Sequence, residues 1–199
     1  MKHILLLLGC LLAQISLGQT GTGVIINTQE LRSVQINEIQ RIYGVTPIAG
    51  KYWYDARSGM YGLQGGPVIG VMYPGHSFGI LSPQASQGSS GVYINNRQLQ
   101  TKEATQLANI FGYYQAIPGR YWMNPNGDLG VEGYPYAIGN VYMAIAIAQR
   151  NQNRAGAGSG NLWSSGLYSG GNYYTGANGQ PSQGDVSVPG YGPISHGMN

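Results

Sequence analysis

This chain carries one pattern twice, and that constrains its fold more than anything else in it. Gly23-Val24-Ile25-Ile26-Asn27-Thr28-Gln29-Glu30-Leu31 lines up with Gly91-Val92-Tyr93-Ile94-Asn95-Asn96-Arg97-Gln98-Leu99 at an offset of 68 residues (91 − 23). The same offset pairs Ile42-Tyr43-Gly44 with Ile110-Phe111-Gly112, and Gly59, Gly62, Gly65 and Pro67 with Gly127, Gly130, Gly133 and Pro135. Tyr52-Trp53 and Tyr121-Trp122 slip by one residue, and the compensating length changes fall in loops, where they disturb a core least. Ordered anchors at one spacing mark a copied unit. The folded part is expected to be two units, about 23–73 and 91–142.

Each unit reads the same way. Gly-Val-x-Ile opens a strand, and Asn95-Asn96 suits a two-residue hairpin turn because asparagine tolerates positive φ; Asn27-Thr28 is its weaker counterpart. Ser33 and Thr101 are candidate helix N-caps. Ile36, Ile39 and Tyr43, with Ala104, Leu107 and Phe111 in the second copy, make one apolar helical stripe each. Gly44 and Gly112 sit where a left-handed residue ends a helix, and Pro47 and Pro118 forbid continuation. An aromatic hairpin follows: Tyr52-Trp53-Tyr54 to Gly62, then Tyr121-Trp122-Met123 to Gly130. Residues 141–148 fit both an alternating strand and a helix capped by Asn140; alanine content favours the helix. The expectation is an α+β domain over 19–150, in which two hairpin-helix-hairpin units pack about a pseudo-two-fold.

The ends differ in character. Lys2 and His3 followed by apolar Ile4–Leu12 and the small residues before Gln19 read as a signal peptide over 1–18, which implies export. A lipobox reading of Leu7-Leu8-Gly9-Cys10, with a lipid anchor on Cys10, competes with it, but Ile4–Leu8 is short for the apolar region of such a signal. Cleavage after Gly18 leaves no cysteine, so disulfides and thiol chemistry are excluded. From about 151 to 199 the chain is rich in Gly, Ser, Asn and Tyr, with Asp185 as the only charged side chain from 155 onward. Little apolar area is available there to offset chain entropy, so a disordered tail is expected. No later stretch approaches the ~20 apolar residues of a transmembrane helix. Charged residues are 9% of the chain and the net charge is +3, which gives no case for nucleic acid.

Candidate chemistry is sparse. Exposed aromatic rings beside amide side chains suit a glycan or a protein surface, and Tyr52, Tyr54 and Tyr121 are the expected contacts, with Trp53 and Trp122 behind them. A Trp anchoring each copy's core is the plainer reading of the same residues. Asn124-Pro125-Asn126-Gly127-Asp128 has oxygen ligands at calcium-loop spacing. Its duplicate carries Arg57, and Asx hydrogen bonding explains the residues equally well, so no metal or other cofactor is expected. Asp55 or Glu132 with His76 is the best acid/base set, and no catalytic residue is assigned from it: Glu132 aligns with Gln64, and a lone loop histidine is usually solvated.

The ordered strings Tyr-Trp-Tyr-Asp-x-x-Ser-Gly-x-x-Gly (52–62), Gly-Val-Tyr-Ile-Asn-Asn-Arg-Gln-Leu (91–99) and Gly-Arg-Tyr-Trp-x-Asn-x-x-Gly (119–127) resemble a bacterial family with WYD-x-x-SG, GVFINGREL and GRYWLDAxGN motifs. A similar string precedes the G domain of plant extra-large G proteins. The resemblance implies an independently folding module; it carries no catalytic residues over. The functional expectation is an exported, non-enzymatic interaction module for an unknown protein or glycan. The alternatives are a matrix protein self-associating through its Gly/Tyr tail, and a carboxylate-dependent hydrolase.

Overall fold

A computed structural model describes residues 21–150, Trp163, and four short strands between 174 and 195. The expected signal peptide lies outside the described residues. So does most of the expected tail, within which the strands β11 (Tyr174–Thr175) with β12 (Pro181–Ser182) and β13 (Asp185–Ser187) with β14 (Pro193–Ser195) form two ladders.

The first half runs β1 (Val24–Ile26), β2 (Gln29–Glu30), α1 (Ser33–Tyr43), β3 (Gly50–Tyr54), β4 (Met60–Leu63) and β5 (Gly70–Val71). The second runs β6 (Val92–Ile94), β7 (Arg97–Gln98), α2 (Thr101–Ile110), β8 (Gly119–Met123), β9 (Asp128–Val131), β10 (Ala137–Asn140) and α3 (Val141–Arg150). Each half builds one five-stranded mixed sheet, ordered β2-β1-β3-β4-β5 and β10-β9-β8-β6-β7.

This overturns the α+β expectation of two hairpin-helix-hairpin units. The fold is β-rich, because the two hairpins of each half merge. β1 pairs in parallel with β3, Val24 opposite Gly50 and Ile26 opposite Tyr52; β6 pairs with β8 in the same way, Val92 opposite Gly119 and Ile94 opposite Tyr121. A parallel pair needs a long crossover, and α1 and α2 are those crossovers. Periodicity along a chain locates strands but is silent about which strands meet.

Local chemistry explains the turns and ends. Asn27 and Thr28 have φ of 48° and 68°, Asn95 and Asn96 of 47° and 77°, the double positive φ that a tight two-residue hairpin demands. Each leading asparagine also clamps the neighbouring parallel strand. Asn95 Nδ2 donates to the Met123 carbonyl at 2.7 Å while the Met123 N–H donates to its Oδ1 at 3.0 Å. Asn27 does the same to Tyr54 at 2.7 and 2.9 Å. Gly44 ends α1 at φ 74° as expected. The N-caps fall one residue earlier than expected, at Arg32 and Gln100, and the Arg32 N–H donates to the Gln35 side chain instead of any hydroxyl capping the turn. Residues 141–150 are helical, with Asn140 Oδ1 accepting the Met143 N–H at 2.9 Å.

Two apolar clusters form. One is confined to the first half, around Ile39, Tyr43, Tyr52, Tyr54 and Tyr61. The other fills the second half and draws in Trp53, Met60 and Val68 from the first, so the halves share a core. Trp163, beyond the expected domain boundary at 150, is fully buried there, and its indole N–H donates to the Glu103 carbonyl at 2.8 Å.

Candidate functional site

The duplicated aromatic strands place their side chains differently in the two halves. Successive residues of β3 do alternate between faces, but both faces are covered. Tyr52 and Tyr54 face the first-half cluster and Trp53 the shared core, with exposures of 4%, 1% and 1%. None of the three presents a ring to solvent, which corrects the expectation for Tyr52 and Tyr54. Tyr121 and Trp122 remain half-buried. Each tryptophan lies flat over a glycine of the adjacent strand: a Cβ on Gly62 would fall 2.7 Å from the Trp53 ring, and one on Gly130 would collide with Trp122. Each is also covered by an arginine from the other half, Arg97 at 4.1 Å over Trp53 and Arg57 at 5.4 Å over Trp122.

The carboxylates and the histidine of the acid/base set are committed to separate partners. Asp55 is buried; its oxygens accept the Arg57 N–H, the Ser58 hydroxyl and, across the two halves, the Asn95 amide at 2.6 Å. Glu132 pairs with Arg120 on the surface. His76 is half-buried; its Nε2 lies 2.6 Å from the Tyr43 hydroxyl, which itself accepts the Tyr73 N–H at 3.0 Å. Burial pushes Tyr54 up to about 12 and Tyr43 well above its ordinary value, and lowers His76. In the calcium-like turn, Asn124 Oδ1 accepts the N–H groups of Asn126 and Asp128 at 3.0 Å each. Amide bonds from Asn140 and then Asn124 hold the Asp128 carboxyl below its usual range. Among the described residues no cluster of three or more metal-ligating side chains occurs, and no helix is long and apolar enough to cross a membrane.

Sequence reasoning missed a groove in the second half. Ala104 and Leu107 of α2, with Phe111 just beyond its end, line one side, and Tyr121, Leu129 and Ile138 of the sheet line the other. The loop after α2 closes one end with Tyr113, Gln115 and Ile117, and the volume is about 290 Å³. Of the residues that line it, Tyr113, Ile117 and Ile138 are each more than 60% exposed. Single exposed apolar residues are ordinary, but a contiguous set around a concavity is not.

The equivalent place in the first half is occupied. Ile36 stands where the second half has Ala104, and Tyr61 where it has Leu129; Tyr61 is buried in the first-half cluster with Ile36 packed against it. The walls themselves correspond. The Tyr52 hydroxyl donates to the Ile48 carbonyl and the Tyr121 hydroxyl to the Ile117 carbonyl, both at 3.0 Å. Two size reductions at aligned positions were thus the available signal for the groove.

The fold and groove define a twin-sheet, β-rich domain with an apolar cleft in one half. Similarity to known proteins covers part of it. The chain is 32% identical over 94 residues to extra-large guanine nucleotide-binding protein 1 of Arabidopsis thaliana and 31% identical over 94 residues to extra-large guanine nucleotide-binding protein 2 of the same plant. Each match takes in 47% of this chain, which spans only about a tenth of the length of these curated relatives (10% and 11%). No family model matches, and no solved structure matches.

Proposed function

We propose that this chain is an exported, non-enzymatic interaction module that recognises a protein through the groove face of its second half. One observation carries the reading: where the first copy packs Ile36 and Tyr61 into its core cluster, the aligned Ala104 and Leu129 of the second line a cleft. Unfilled apolar volume lowers stability, and a binding partner would offset that loss. Exposed Tyr113 and half-buried Tyr121, both lining the cleft, are of the residue type enriched in protein interfaces. The engaged state of Asp55, Glu132 and His76 supports a non-enzymatic role. The short basic and apolar N-terminal stretch, and the absence of cysteine after Cys10, support export. The motif strings at 52–62, 91–99 and 119–127 support a module shared by a bacterial secreted family and the extra-large G proteins.

The test is to pan a displayed-peptide library and a glycan array on the full chain and on an Ala104→Ile/Leu129→Tyr variant, which restores the first half's filling. Peptides enriched by the parent and lost by the variant are the expected result. Peptides retained equally by both would refute the groove as the contact surface, and glycan binding without peptide enrichment would refute a protein ligand.

A further inference from the structure

We infer that the occupant of the groove is an uncharged aromatic side chain of the phenol type, presented by a partner polypeptide. The inference rests on the interaction reading above and narrows it to a ligand class.

The molecule supplies its own comparison. In the first half the aligned positions carry Tyr61, buried in one cluster with Ile39 and Tyr43 of α1, and Ile36, packed against that cluster. The framework that positions Tyr61 is retained around the cleft. Leu107 replaces Ile39, Phe111 replaces Tyr43, and the Tyr121 hydroxyl repeats the bond of Tyr52 to the loop carbonyl. Such a framework suits a flat ring meeting aromatic edges on one side and branched aliphatic carbons on the other.

Charge complementarity selects the same class. None of the side chains lining the cleft is ionisable at neutral pH. The charged pair next to it along β8, Arg120 with Glu132, is closed on itself, and Arg120 also donates to Asn96 at 3.0 Å. A carboxylate or ammonium entering the cleft would lose hydration without gaining a partner. A phenol hydroxyl is different, because Tyr113 and Gln115 contribute polar groups to the lining.

The experiment uses the full chain and p-cresol as the side-chain probe. Binding is followed by saturation-transfer NMR, with N-acetyl-leucinamide as the aliphatic control and 4-hydroxybenzoate as the charged one. We expect p-cresol to bind at least tenfold tighter than either control. The Ala104→Ile/Leu129→Tyr variant should lose that binding at least tenfold while melting no lower than the parent. Ile117→Asp, at a rim position that is 74% exposed, should weaken binding without changing the far-ultraviolet circular dichroism. Equal binding of 4-hydroxybenzoate or N-acetyl-leucinamide would overturn the inference, as would p-cresol binding that survives in the filled variant. Groove-dependent peptides that carry no tyrosine would overturn the phenol occupant and leave the interaction reading standing. p-Cresol binding with no groove-dependent peptide would overturn the interaction reading itself. Self-association abolished both by the filled variant and by Tyr113→Ser would assign the cleft to a second copy and overturn the separate partner.

Discussion

Replacing Glu103 by alanine should be among the most damaging single changes to this protein, although nothing near Glu103 suggests chemistry. Its carboxylate is fully buried and holds Arg97 through both oxygens, at 2.8 and 2.9 Å. The same carboxylate accepts the Val68 N–H at 3.1 Å, so a residue of α2 in the second half fastens the backbone of the first. Arg97 in turn donates to the Ser86 hydroxyl and lies over Trp53, which leaves it no route to water once its partner is gone. Breaking a buried pair by removing one member costs about 3–5 kcal/mol, because an uncompensated charge stays inside. The orphaned Val68 N–H adds about 1–3 kcal/mol. The expected loss is therefore about 4–8 kcal/mol, comparable with the ~5–15 kcal/mol total stability of a domain. Trp53, stacked beneath the guanidinium, reports the event, so urea unfolding followed by tryptophan fluorescence is the assay. The double variant Arg97→Met/Glu103→Leu removes both charges and should recover most of the loss, since well-packed apolar pairs often replace buried ion pairs at little cost. A Glu103→Ala loss below about 1 kcal/mol, or a double variant no better than the single one, would refute the assignment of the penalty to a stranded charge.

Two further predictions follow from the turns and the histidine. Asn27→Ala and Asn95→Ala each remove a two-bond clamp between parallel strands and place a β-carbon at positive φ, so each should cost about 2–4 kcal/mol in denaturant unfolding. Asn95→Ala should cost more, because it also takes one of three donors from the buried Asp55 carboxylate. His76 is depressed by burial against a weaker opposing pull from Glu38, so the native state binds a proton less readily than the unfolded chain. Its contribution to stability should be intact above about pH 6.5, the ordinary histidine value, and fall as pH drops below it towards the depressed native value. Melting temperature measured from pH 8 to pH 5 should show a decline that His76→Phe removes; an unchanged decline in that variant would place the effect elsewhere.

How much of this could be read from the residues depends on the range of the interaction involved. The equivalence of Gly23 with Gly91, the double-positive turns at 27–28 and 95–96, the left-handed Gly44 and the helix following Asn140 all rest on contacts within a few positions, and each was legible. The Trp-over-glycine pairs were half legible: Trp53 and Gly62 stood out as anchors, but their stacking needs the strands brought together. The sheets were not legible, since the parallel meeting of β1 with β3 joins segments separated by a whole helix. Nor was burial, because Tyr52, Trp53 and Tyr54 look amphipathic as a strand and become internal only when α1 covers one face and the second half covers the other.

Sequence alone determined that one unit is used twice, where its turns and helix ends fall, and how little charge is available for ionic recognition, because these follow from backbone preferences and composition at short range. Tertiary structure alone decided that the halves merge into two mixed sheets with a shared core, that Arg97 and Glu103 are sealed within it, and that the second copy keeps an open cleft where the first is full. Those outcomes depend on which distant surfaces exclude water together, and no local pattern in the chain encodes that.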